Sequence, residues 1–152
     1  MTQSINDIQD EIIEDFSMLD DWMDRYALLI EYGNGLPAFP EQERTEQNLI
    51  DGCQSKVWMA AHISDGILLY EGDSDAILVK GIVALLLRVL SGHTPQEVEN
   101  ADLYFIDAIG LREHLSPTRS NGLAAMLKQM KLYAMAYAAK DTHQPKLADN
   151  NQ

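Results

Sequence analysis

Few residues in this chain are placed to do chemistry, and one stands out. The single cysteine, Cys53, lies in the run Asn48-Leu-Ile-Asp-Gly-Cys-Gln-Ser-Lys56. Inert free cysteines are mostly buried as small hydrophobes within a helix or strand, whereas Cys53 stands among polar neighbours between a long loop and a strand. A thiol so placed can serve as a nucleophile or in sulfur exchange, because its thiolate is the reactive form. Gly52 frees the backbone to present the sulfur or to let another chain approach closely, and Lys56 is a nearby cation able to favour the thiolate. The competing reading is a half-buried cysteine that only packs against the strand, and spacing alone does not choose between the two.

The remaining chemistry-bearing residues assemble no second site. His62, His93, His114 and His143 lie more than 20 positions apart. None has another ligand type at metal spacing, so they read as surface or edge residues and no metal site is expected. Asp73-x-Asp75 looks like the start of a calcium loop, but Leu78 and Ala84 occupy the positions of the required glycine and bidentate glutamate. Walker-type and dinucleotide-binding glycine patterns are absent.

The elements that must position Cys53 follow from periodicity. Ile5, Ile8, Ile12 and Phe16 recur at helical spacing behind Ser4 or Asn6 as a cap, and Trp22, Tyr26, Leu29 and Ile30 mark a second helix. Gly33 to Pro40 cannot continue it, so a loop begins there and runs to about Gln54. Structureless loops beyond ~12–15 residues are uncommon and mostly functional or disordered. Val57, Met59, Ala61 and Ile63 then alternate with their neighbours, and Asp65-Gly66 turns that strand into Ile67 to Glu71 as a hairpin. Gly72-Asp73-Ser74-Asp75 ends the second strand and is expected to supply a cap for an apolar central helix reaching Ser91-Gly92. Thr94-Pro95 opens a short helix, Phe105 to Leu115 contains another, and Ser116-Pro117 starts a final one to about Lys140 with Leu123, Met126, Met130, Ala134 and Tyr137 inward. A single domain over 1–140 and a polar, disordered tail over 141–152 are expected.

Composition bounds the partners. The chain has 152 residues, 46% of them hydrophobic and 23% charged, and a net charge of −13. A domain of that length buries roughly 68–70% of its unfolded surface and needs no disulfide or metal to fold. The negative charge disfavours nucleic acid and anionic membranes. One thiol excludes an intramolecular disulfide and any multi-thiolate cluster site, which suits a reducing, cytoplasmic setting, and the acidic first 15 residues are unlike an export signal. Residues 1–51 hold 13 acidic and 2 basic side chains. That segment is either a solvated helical face or a surface that steers a basic partner.

Three separated motifs then carry a resemblance. Gly52-Cys53-Gln54-Ser55-Lys56-Val57-Trp58, Gly72-Asp73-Ser74-Asp75-Ala76 with Val79-Lys80-Gly81, and His114-Leu115-Ser116-Pro117-Thr118-Arg119-Ser120-Asn121-Gly122-Leu123 come in the order in which they occur in the SufE family of sulfur-acceptor proteins, which the chain closely resembles from about Phe16 to Ala139. The resemblance implies an α+β fold of the SufE/IscU-like kind, a small antiparallel sheet packed against several helices. It implies an acceptor, without a cofactor of its own, that takes sulfane sulfur from the persulfide of a PLP-dependent cysteine desulfurase onto Cys53, stimulates that enzyme and delivers sulfur for iron-sulfur cluster assembly. The partners so implied are a SufS-like desulfurase or a paralogue and a SufBCD-like scaffold complex, with the chain a monomer or weak homodimer. Gly52, Gln54 and Ser55 flank the acceptor, Asp75 falls in the region associated with holding the cysteine loop, and Arg119 maps onto the family's arginine motif, as a group that binds loop carbonyls, steadies an anionic persulfide or merely braces loop to helix. A cluster scaffold lacks the soft ligands it needs here, and a cysteine hydrolase lacks a supporting histidine motif. An adaptor that activates a desulfurase with Cys53 incidental remains the alternative.

Overall fold

The computed structural model describes residues 3–150, with the side chains of 3–140. Helix α1 (Ile5–Ser17) begins at Ser4, whose hydroxyl accepts from the Asp7 N–H, and α2 (Trp22–Asn34) begins at Asp21, whose carboxylate accepts from the Met23 N–H. These side chains satisfy backbone donors that a helix start leaves without partners. Strands β1 (Val57–Ser64) and β2 (Ile67–Ser74) pair antiparallel from Val57 opposite Ser74 to Ser64 opposite Ile67. Between them Asp65 and Gly66 both have positive φ, 53° and 78°, the geometry of the tight turn that matches strand twist. Helix α3 (Ile77–Leu90) follows, then α4 (Pro95–Asn100), α5 (Phe105–Ala108) and α6 (Pro117–Asn150). The result is the expected α+β architecture, one small antiparallel sheet packed against helices.

The core forms around α3, in which every residue from Gly81 to Leu90 except Arg88 is buried. Helix α2 crosses it closely because both carry glycine at the contact: a methyl group on Gly81 would lie 2.2 Å from the Leu29 carbonyl oxygen. One face of the hairpin, with Val57, Met59, Leu68 and Tyr70 buried, packs inward. Helix α6 is fastened to it by three tyrosine hydroxyls, Tyr70 donating to the Met130 carbonyl and Tyr133 and Tyr137 to those of Met59 and Ala61. Its expected inner stripe of Leu123, Met126, Met130 and Ala134 is buried, and Tyr137 half-buried.

Three expectations need correction. The segment from Gly33 to Gln54 is not structureless: it contains 3-10 turns at Glu41–Glu43 and Glu46–Asn48, and Phe39 and Ile50 are buried. The cap of α3 falls on Ala76, whose own side chain cannot cap; the Ser74 hydroxyl accepts from the Ala76 N–H and donates to the Lys56 carbonyl, and Asp75 accepts from the Lys56 N–H. The stretch Phe105 to Leu115 contains the expected further helix, α5, followed by a 3-10 turn at Arg112–His114. His93 is not a surface residue but 3% exposed: its carbonyl accepts from the Leu68 N–H beside the hairpin, and its Nε2 meets the Gln3 carbonyl oxygen. His62 is exposed and His114 stacks on Trp22 with ring centroids 3.9 Å apart. The tail expected over 141–152, including His143, lies outside the residues whose side chains are described.

Candidate functional site

Cys53 sits on a short arch, residues 51–55, between two fixed feet. At the first foot Leu49 forms a bridge with Trp58, and the Ile50 N–H donates to the Val57 carbonyl at 2.9 Å. At the second foot the Lys56 N–H donates to Asp75 Oδ1 at 3.0 Å, while the Lys56 carbonyl accepts from the Ser74 hydroxyl and the Asp75 N–H. The Gly-Asp-Ser-Asp motif therefore extends β2 and then grips the chain just after the cysteine. Gly52 at the bend has φ +92°, a conformation that L side chains adopt only at a cost.

The arch lays its sulfur against the first turns of α3 and α6. Cys53 Sγ lies 3.7 Å from the Gly122 carbonyl oxygen, and a methyl group on Gly122 would sit 3.3 Å from that sulfur. The glycine thus lets the thiol seat directly on the helix backbone. Beside it is a cavity of about 80 Å³ lined by Cys53, Gln54, Ser55, Val79, Ile82, Thr118, Arg119, Gly122 and Met126. Its floor is apolar and its rim polar. Of the residues expected at the site, Gln54, Ser55 and Arg119 are brought to the cavity, Gly52 shapes the bend, and Asp75 acts one step away through the backbone of Lys56.

The electrostatics are those of a resting thiol. Cys53 is half-buried, and burial pushes its pKa above the ordinary thiol value, since a low-polarity setting disfavours the thiolate. That burial is the cause of the shift; Lys56 joins the site through its main chain, its side chain being exposed. Arg119 is exposed at the cavity rim, its N–H bonded to the Ser116 hydroxyl, and its guanidinium has no hydrogen bond or ion pair among the described residues. Among the described residues, no group of three or more His, Cys, Asp and Glu side chains could hold a metal ion, and no helix is long and apolar enough to cross a membrane. In the acidic N-terminal segment, Glu11 and Asp15 pair with Arg88, while Asp7, Asp10 and Glu14 are exposed.

Sequence reasoning did not single out Val79, Ile82, Gly122 or Met126 as neighbours of the thiol. Gly122 carried a signal all the same, because a glycine inside a helix away from its end marks a close approach.

The chain is similar to known proteins over most of its length. A family model, SufE, described as an Fe-S metabolism associated domain, matches residues 10–134. An uncharacterized SufE-like protein of Rhizobium meliloti (strain 1021) is 45% identical over 127 residues, 80% of this chain and 91% of the relative. Another, of Rhizobium etli, is 45% identical over 135 residues, 86% of this chain and 91% of its own length. Among solved structures, the solution structure of a hypothetical protein from Thermus thermophilus superposes with a TM-score of 0.73 at 25% identity, covering 87% of this chain and 96% of the other. The chain therefore belongs to the SufE family, whose role is sulfur transfer in iron-sulfur metabolism.

Proposed function

We propose that Cys53 accepts sulfane sulfur from the persulfide of a PLP-dependent cysteine desulfurase, SufS-like or a paralogue, stimulates that enzyme by relieving it of its product, and passes the sulfur to a SufBCD-like scaffold. The observation that carries this reading is the seating of the one thiol: half-buried, on a glycine-hinged arch, beside a cavity of about 80 Å³. Such a space exceeds the ~10–15 Å³ that one water needs, so it has room for a second sulfur atom.

The transfer is an exchange of partners around one sulfur. Cys53 first gives its proton to solvent. The thiolate attacks the outer sulfur of the donor persulfide, a new S–S bond forms at Cys53, the donor's S–S bond breaks, and the donor cysteine leaves as a thiolate. Nothing is oxidised or reduced overall. A resting thiol held protonated in its cavity is slow to over-oxidise, and lifting the arch into a partner's site exposes it where exchange occurs. Arg119, exposed at the rim with no guanidinium hydrogen bond or ion pair among the described residues, steadies the anionic persulfide on this reading.

Cys53→Ser separates this reading from the adaptor. With a cysteine desulfurase and saturating cysteine, the variant is expected to lose the stimulation of turnover that the wild-type chain gives. An adaptor would keep it, because its contacts do not depend on the sulfur; retained stimulation therefore contradicts the acceptor role.

A further inference from the structure

The segment that leads into the arch crosses the outer face of the hairpin and is locked there by one side chain. The Arg44 guanidinium carbon lies 4.8 Å from the Trp58 ring centroid and 5.3 Å from that of Phe39. Its Nη2 donates to Asp73 Oδ2 at 2.6 Å and its Nε to Glu41 Oε1 at 2.9 Å. The ion pair with Asp73 is largely shielded, the two side chains being 25% and 14% exposed, so solvent screens it less than a surface pair. The other Asp73 oxygen is buried, with Lys80 Nζ of α3 at 3.4 Å.

Both partners of this clamp lead to the thiol. Trp58, under the guanidinium, is bridged to Leu49, and Ile50 is bonded to Val57, so the first foot of the arch stands on the clamped strand. Lys80, on the far side of Asp73, lies in the turn of α3 whose Val79 and Ile82 wall the Cys53 cavity. Asp73 thus joins the loop that carries Cys53 to the helix that receives it. Arginine suits this position because its planar cation can stack between two rings while its N–H fork stays bonded, which a lysine cannot do.

We infer that Arg44 is a positioning residue for Cys53: held between Phe39 and Trp58 and paired with Asp73, it keeps the arch seated and so sets how often the thiol leaves its cavity. Its consequence for sulfur transfer rests on the function proposed above; its test needs no sulfur donor.

The test is the rate at which iodoacetamide alkylates Cys53 in the free, full-length protein under native conditions. Arg44→Gln, which removes the cation, is expected to react roughly 5- to 30-fold faster than wild type. Arg44→Lys keeps the charge without the plane and is expected to fall between the two. Asp73→Asn, close in shape and without the charge, is expected to accelerate alkylation as well, and it decides the matter by itself should Arg44→Gln not fold. Arg112→Gln, which breaks the exposed pair with Asp107, is expected to react at the wild-type rate. A merely structural role is recognised by urea: opening of the arch exposes little surface and its rate is nearly flat below the unfolding transition, whereas exposure through global unfolding rises steeply. The inference is overturned if the clamp variants stay within about twofold of wild type, less than one lost charged bond would give, or if they accelerate only with the steep urea dependence. A wild-type chain that takes up no sulfur while these rate differences hold would count against the sulfur-acceptor reading alone.

Discussion

Residues 36–50 and 51–55 are consecutive in the chain and are held in opposite ways. The first stretch buries Phe39 and Ile50, winds two 3-10 turns, bonds the Asn48 amide to Glu43, and is locked by Arg44 onto the hairpin. The second exposes Asp51, Gly52 and Gln54, and Cys53 packs on the core with its sulfur 3.7 Å from the Gly122 carbonyl oxygen. The long loop before the thiol is thus not a long tether. Only five residues stand between the two pinned feet, so the function proposed above needs no more than a small opening to present the thiol, with the core intact.

Substitutions can break or sharpen this contrast. The largest effect is expected for Phe39→Ala in the pinned stretch, a cost of about 3 kcal/mol that lowers the melting temperature by roughly 6–12 °C. Next comes Gly52→Ala in the arch, where φ +92° strains any side chain by about 1–2 kcal/mol. That strain is relieved by local rearrangement, so calorimetry is expected to show a far smaller drop in melting temperature while alkylation of Cys53 speeds up. Equal drops for the two variants would mean that the arch and its approach melt as one unit, and the contrast would fail. Asp75→Asn weakens the grip on Lys56 at the second foot, and alkylation is expected to accelerate roughly 2- to 12-fold, as one hydrogen bond of 0.5–1.5 kcal/mol allows.

The smallest effect concerns pH. Burial raises the Cys53 pKa in the folded chain above that of the unfolded one. The native state therefore keeps its proton to higher pH, and the associated stability is complete below the ordinary thiol pKa and lost as pH rises through the alkaline range. Alkylation followed against pH is expected to inflect higher in the native protein than in urea. Coincident inflections would show that the thiol already rests in water.

Much of this was legible in the sequence wherever cause and effect are close along the chain. Asp65-Gly66 announced its turn, Thr94 closed a capping box with Glu97, and the apolar run of α3 marked a buried helix. Cys53 and Gly52 stood out for the same reason, their neighbours being polar. What escaped depended on residues distant in sequence: Arg44 meets Asp73 29 positions on, and His93 is buried where it pairs with Leu68 along the free edge of β2. The cap expected from Ser74 or Asp75 falls short for a related reason: Lys56, brought alongside by strand pairing, takes the Asp75 carboxylate and the Ser74 hydroxyl proton, leaving the Ser74 oxygen to the Ala76 N–H just ahead of the helix.

The central claim, that Cys53 is the sulfur acceptor, is tested most directly by intact-protein mass spectrometry after the chain is mixed with a cysteine desulfurase and free cysteine. One added sulfur atom, mapped to the peptide carrying Cys53 and removed by reductant, is the predicted result. A chain that stimulates the desulfurase yet gains no sulfur at Cys53 would contradict it.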